Sequence, residues 1–210
     1  SRMKYCVTQH GNRVAYTWVK QGKGIPLVLI HGFCEDHSVW TSLQPSLKPV
    51  SILLLDLPGL GQSELPHPPE MQSYAEAVKA VLDQEQIAQC VLVGHSMGGY
   101  AALEFAALWP ERLAGLGLFH SHPFEDSEER KTARQRGIET LQAGKRDLYV
   151  AQLFPNLFAE SFLKDNPDVL NALISNGKKQ SPEGIIAALQ SMLNRRDHQK
   201  TLREISCPVL

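Results

Sequence analysis

The sequence predicts an α/β protein with a mostly parallel central sheet, helices on both faces and a helical cap inserted after Phe119. Three observations carry this. Four short, nearly continuous apolar runs occur at Leu27 to Ile30, Ile52 to Leu55, Cys90 to Val93 and Leu116 to Phe119. Helix-like stretches separate them at the spacing that a β-α-β crossover needs. A charged, helix-prone block from about Ser121 to Pro182 then interrupts the alternation. Strands apolar at every position are buried on both faces, which marks a parallel sheet covered by helices.

Taken in order, two β-favouring runs between Met3 and Val19 flank Gln9-His10-Gly11-Asn12, a turn-forming cluster, so an antiparallel hairpin opens the sheet. Trp40, Leu43 and Leu47 recur at helical spacing before Lys48-Pro49. Tyr74, Val78, Val81 and Leu82 do so before Glu85, and Met97 to Trp109 is rich in alanine and leucine until Pro110 stops it. The block after Ser121 begins with Glu125-Asp126-Ser127-Glu128-Glu129-Arg130-Lys131 and carries Tyr149, Phe154, Phe158 and Phe162. It reads as a cap whose charge run is a solvated helix face and whose aromatics mostly pack its own interior. A last helix from about Pro182 to Asn194 leads to Cys207-Pro208-Val209-Leu210, the opening of another buried strand. The division expected is residues 1–120 as core, 121–181 as cap and 182–210 as a return to the core.

Lys plus Arg (21) and Asp plus Glu (22) nearly cancel, so no overall field draws the chain to nucleic acid or to an anionic membrane. No apolar run approaches the roughly 20 residues of a membrane helix, and Ser1-Arg2-Met3-Lys4 is not followed by a signal-peptide core. The chain therefore reads as cytoplasmic. Cys6, Cys34, Cys90 and Cys207 form no C-x-x-C pair, which fits neither a zinc site nor a redox motif. No motif calls for a metal or an organic cofactor.

Gly94-His95-Ser96-Met97-Gly98 directly follows one apolar run and directly precedes a helix. That context makes G-x-S-x-G a nucleophile elbow, with Ser96 lifted clear of the sheet and the helix dipole beside it. The turn strains the serine backbone, so Gly94 and Gly98 must be small. The competing reading is an ordinary strand-to-helix turn with a serine N-cap. His31-Gly32-Phe33 follows the Leu27 to Ile30 strand, and the Phe33 and Met97 amides are the expected donors to an oxyanion. His31 is expected to hold the loop by backbone hydrogen bonds rather than act as a base, and His95 to pack beneath the turn.

Three segments, His31 to Trp40, Asp56-Leu57-Pro58-Gly59-Leu60-Gly61-Gln62-Ser63 and Val93 to Gly99, together resemble the α/β-hydrolase superfamily, in its esterase-like serine hydrolase branch with a helical cap. The resemblance implies hydrolysis of a small-molecule carboxylic ester or related acyl substrate through an acyl-Ser96 intermediate. It implies that the Asp56 to Ser63 loop is a structural turn. A serine at the elbow disfavours the dehalogenase and epoxide-hydrolase branches, which place aspartate there.

The resemblance also implies the order Ser, then Asp or Glu, then His. The acid normally follows the strand that begins at Cys207, and the histidine a later one, so neither is expected within these residues. Some members place the acid one strand earlier, where this sequence reads His120-Ser121-His122, with Glu125 and Asp126 nearest. A base must reach the carboxyl edge of the sheet, which leaves His31, His37, His120 and His122, with His120 and His122 as the substitutes. The chain as given is thus expected to be inactive alone and to self-associate through an incomplete sheet edge. A second class stays open: a noncatalytic scaffold of this fold that binds a ligand or a protein.

Overall fold

A computed structural model describes residues 2–210. Its strands are β1 (Met3–Val7), β2 (Arg13–Val19), β3 (Leu27–Ile30), β4 (Ile52–Leu55), β5 (Cys90–His95) and β6 (Leu113–Phe119), in the spatial order β1-β2-β4-β3-β5-β6. The β1–β2 hairpin and the β2–β4 pair are antiparallel, and β4, β3, β5 and β6 run parallel. Ile30 lies opposite both Leu55 and Gly94, and His95 opposite Phe119. The segments leaving β3, β4, β5 and β6 therefore emerge along one edge, where a parallel α/β sheet places its ligands.

One sheet face is covered by α1 (Met71–Gln84) and α2 (Met97–Leu108), with Val28, Ile30, Leu53, Leu55 and Leu92 packing in the same core as Tyr74, Val78, Leu103 and Phe105. On the other face Leu29, Ile52 and Leu54 pack against Trp40 and Leu47. Those two belong to His37–Leu47, which forms 3-10 turns rather than the expected α-helix. Pro45 within it has no N–H to give an α-helical ladder. This narrow cover leaves β5 alternating in burial, with Val91, Val93 and His95 partly exposed, instead of buried on both faces. Pro208 to Leu210 do pair in parallel with β6, Leu210 N donating to Leu116 O at 2.9 Å. Val209 and Leu210 are nevertheless exposed, so the expected buried strand is paired but uncovered.

After β6 come α3 (Glu128–Gln142), α4 (Arg146–Leu153), a 3-10 turn (Phe154–Leu157), α5 (Glu160–Asp165) and α6 (Pro167–Gly177). Then follow α7 (Pro182–Leu193) and α8 (Gln199–Glu204), the last unanticipated. Ser127 caps α3 by accepting from Arg130 N, with Glu128 and Glu129 opposing the helix dipole. Ser181 caps α7 in the same way, ahead of Pro182. α3 packs on α7, and the pair is locked by Asp126, whose buried carboxylate accepts from Arg134 Nε at 2.5 Å and Arg195 Nη1 at 2.7 Å. Arg195 also donates to Phe124 O at 2.7 Å and lies 3.7 Å from the Tyr100 ring of α2, which fastens this layer to the core. Glu104 of α2 holds α8 in place through His198 at 2.6 Å and receives Arg196 at 2.9 Å. Among the described residues no helix is long and apolar enough to cross a membrane.

Removing one partner of a buried ion pair leaves the other charge uncompensated, which typically costs about 3–5 kcal/mol. The Arg195 side chain is only 3% exposed. Asp126→Ala should therefore lower the free energy of urea unfolding by about 3 kcal/mol, whereas Glu128→Ala, on the exposed side of α3, should change it by less than about 0.5 kcal/mol.

Candidate active site

β5 passes into α2 through Ser96, whose backbone sits at φ 55° and ψ −119°. A non-glycine residue rarely adopts this conformation, and the surroundings must impose it. Ser96 N donates to Phe119 O at 2.9 Å, which pins the turn to β6. A Cβ on Gly98 would lie 2.5 Å from both Ile30 O and His31 O, and one on Gly94 would lie 2.5 Å from Gly99 N. Only hydrogen fits at either position, so β3, β5 and the start of α2 meet backbone to backbone. Met97 is the first residue of α2, where helix amides lack an intrahelical acceptor. Among the described residues neither the Met97 nor the Phe33 amide has a hydrogen-bond partner.

His31 is fully buried; Nδ1 lies 2.8 Å from Gly32 O, and Nε2 accepts from Leu57 N at 2.9 Å. Donation to Gly32 O places its proton on Nδ1, and both nitrogens shape the loop. Glu35, buried in the same loop, accepts from Gly32 N at 3.2 Å and comes within 3.5 Å of His95 Nδ1. His95 does not pack beneath the turn. Period two along β5 puts it on the face of Trp40, where its ring stands edge-on to Trp40 at 6.5 Å and to His120 at 5.9 Å. His120 has φ 48° and lines the same cavity.

That cavity, of about 360 Å³, has Ser96, Phe33, Glu35, His95, Tyr100, His120 and His122 on its core side. Arg130, Arg134, Tyr149, Leu153 and Leu157 close it from α3, α4 and the turn after α4. A larger groove of about 580 Å³, bounded by Val7, Glu76, Lys79 and Trp109, shares none of these residues and holds no such grouping. His122 is held on both nitrogens: Nδ1 accepts from Phe124 N at 3.2 Å, and Nε2 lies 3.2 Å from the Tyr100 hydroxyl. Burial, then the charges of Arg195 and Arg130, push its pKa below the usual histidine value. Asp126 is committed to Arg134 and Arg195, and not to a histidine.

His37 donates Nδ1–H to Asp56 Oδ1 at 2.7 Å, and its backbone N–H donates to the same oxygen at 2.9 Å. Asp56 Oδ2 accepts from Gln62 N at 3.0 Å, and Ser63 Oγ donates to Asp56 O at 2.6 Å, so the Asp56 to Ser63 segment is a tightly bonded turn. Asp36, His37 and Asp56 each bring one ligand-type atom within 4.8 Å of the others. Their oxygens are occupied by these donors and by Ser38 N at 2.9 Å on Asp36, which makes the group a hydrogen-bonded turn rather than an open cation cage. Burial, then Glu35, push the Cys34 thiol up to about 12, so this cysteine of the loop stays protonated.

The site missed in the sequence is mostly on α3 and in the loop. Glu35 lies in the loop after β3, and the i, i+4 spacing of Arg130 and Arg134 is the signal that one side of α3 reaches the cavity.

A strained serine at the end of a central parallel strand, two unengaged amides beside it and a cavity above them mark the carboxyl edge of an α/β sheet as the candidate site. The chain belongs to the alpha/beta hydrolase fold family, whose model matches residues 25–176. It is 30% identical over 190 residues to a 2-hydroxy-6-oxononadienedioate/2-hydroxy-6-oxononatrienedioate hydrolase of Escherichia coli, covering 82% of this chain and 57% of that protein. It is 42% identical over 100 residues to the dihydrolipoyllysine-residue acetyltransferase component of the acetoin cleaving system of Pseudomonas putida, covering 47% of this chain and 27% of that one. The chain thus spans about half or less of the length of these curated relatives. A thermophilic esterase from Thermogutta terrifontis, solved with malate bound, superposes with a TM-score of 0.90 at 29% identity over 100% of this chain and 78% of that one. The enol-lactonase from Burkholderia xenovorans shares the fold, with a TM-score of 0.87 at 20% identity over 98% and 79% of the two chains.

Gly98→Ala should force α2 away from β3, costing about 1–3 kcal/mol in unfolding measurements and displacing the Met97 amide. The Asp56 hydrogen bond raises the His37 pKa above its ordinary 6.5. A raised histidine pKa stabilises the fold fully below about 6.5 and loses that contribution as pH rises through the folded value. The stability difference between wild type and His37→Gln should therefore be larger at pH 6 than at pH 8.5, read from thermal midpoints.

Proposed function

We propose that these residues supply the nucleophile and the oxyanion site of a serine hydrolase that cleaves a carboxylic ester or related acyl substrate. The observation that carries this is the combination at one point of a strained Ser96 and two unengaged amides, Phe33 and Met97. The Ser96 oxygen forms a bond to the acyl carbon, and the carbonyl π electrons move onto its oxygen. Both amides donate to that oxygen, and each such donor is worth roughly 3 kcal/mol. As the charge returns, the leaving alkoxide departs with a proton, and water later cleaves the acyl-serine. A base must take the Ser96 proton first. His31, His37 and His122 are bonded elsewhere, and His95 and His120 share the cavity with the serine. The hydrolase of Escherichia coli and the esterase of Thermogutta terrifontis, by their names, support hydrolysis as the reaction class.

In this reading residues 1–120 are the catalytic core, and 121–181 form a cap that closes over it before 182–210 return. The cap supplies Arg130, Arg134, Tyr149, Leu153 and Leu157 to the cavity roof. One observation favours the noncatalytic scaffold as a second reading: among the described residues no histidine is hydrogen-bonded to the Ser96 hydroxyl.

A fluorophosphonate probe, read by mass spectrometry of the Ser96 peptide, separates the two. The hydrolase reading expects modification confined to Ser96 and abolished in Ser96→Ala. Loss of labelling in His120→Ala would make His120 the base and overturn the expectation that these residues lack one. A folded sample that resists the probe leaves Ser96 without a base among these residues, and the scaffold is favoured only where a chain that also carries a later acid and histidine resists it too.

A further inference from the structure

We propose that the acyl substrate carries a free carboxylate and that Arg130 is the residue that binds it. This rests on the hydrolase reading for the reaction, but on separate residues for recognition. Arg130 and Arg134 stand one turn apart on α3, and both line the Ser96 cavity. Arg195 stands behind them against Tyr100, and the one carboxylate that pairs with any of these three guanidiniums is Asp126. Arg134 and Arg195 share it, so both are fixed in place and their donors are largely used.

Arg130 differs. Among the described residues it has no ion-pair partner, a trait shared with Arg2, Arg13, Arg136 and Arg203, but of these it alone lines the cavity. It is solvent-exposed and lines the cavity from α3, where an entering ligand can reach it. His122 registers the same positive wall, since burial, then Arg195, Arg130 and Arg134, lower its pKa against the opposing pull of Asp126.

The opposite side of the cavity carries the buried carboxylate of Glu35, in the oxyanion loop. The site is thus polarised. A monoanionic substrate gains from α3 and is repelled from Glu35, so its carboxylate points toward the cap while its scissile carbonyl faces Ser96. One uncommitted guanidinium matches one negative charge, and its planar fork suits a carboxylate with two parallel N–H···O bonds. A cavity of about 360 Å³ limits the acyl part to a short chain.

The test compares the mono-4-nitrophenyl ester of glutarate with 4-nitrophenyl pentanoate, two esters of similar length of which one bears the carboxylate. Glutarate binding is measured in parallel by calorimetry. Wild type should favour the charged ester by about tenfold or more in kcat/KM, and Arg130→Gln should bring that ratio to within about threefold of unity. Arg130→Lys should retain part of the preference, and glutarate should bind Arg130→Gln about tenfold more weakly than wild type. An unchanged ester ratio, or glutarate affinity that ignores Arg130, overturns the proposal even where both esters are cleaved. If neither ester is cleaved but glutarate binding still depends on Arg130, the carboxylate site stands independently of the hydrolase reading. If glutarate does not bind at all, the proposal fails.

Discussion

Where β3, β5 and the first turn of α2 meet, the backbones are too close for any side chain at Gly94 or Gly98. Everything distinctive about the site follows from that approach. It leaves Ser96 no ordinary backbone conformation, and the bond from Ser96 N to Phe119 O ties the strained turn to β6. It carries the first amide of α2 to the carboxyl edge of the sheet, beside the loop that leaves β3. That loop in turn is shaped by His31, whose two nitrogens are spent on Gly32 and Leu57, and by Glu35 holding Gly32 N. Strain of this kind is stable only when the surrounding packing over-determines it, and here two strands and a helix do so.

The layer over the cavity is held by apolar contact, with Ile138, Leu141, Val150, Phe154, Leu189 and Met192 in the same buried core as Tyr100, and by charge. Asp126 is buried and bonded to Arg134 and Arg195, and Arg195 lies flat on Tyr100, a residue that also lines the cavity. The same arrangement that fastens α3 therefore points its arginine face at the serine. A buried carboxylate matched to two guanidiniums leaves a positive wall, and the unpaired Arg130 completes it. Structure holding and ligand choice draw on one cluster of side chains.

Much of this was legible in the sequence, because the elements involved obey local rules. The four apolar runs became β3 to β6, and the strand-to-helix turn at Ser96 was readable because strand, glycines and helix stand in register. What was not legible depended on which neighbours cover which face. Pro45 converted an apparently periodic helix into 3-10 turns, and the thin cover it gives left His95 turned toward the cavity rather than under the turn. The charge run Glu125 to Lys131 is mostly exposed, as local patterning reads it, but Asp126 within it is buried, and Arg130 and the later Arg134 also line the cavity. Only the packing of α3 on α7, set by Asp126 and a residue 69 positions later in the chain, turns that face inward. α8 is short, and its anchor to Glu104 joins residues 94 positions apart, a separation that periodicity does not register.

The central claim is geometric: Ser96 and the amides of Phe33 and Met97 converge on one developing oxyanion. A crystal structure of the protein reacted with a phenylboronic acid or a trifluoromethyl ketone tests this directly. The account predicts a tetrahedral adduct on Ser96 Oγ whose oxygen accepts from both amides at about 2.7–3.1 Å. An adduct whose oxygen turns to solvent, or one formed at another side chain while Ser96 stays free, would contradict it.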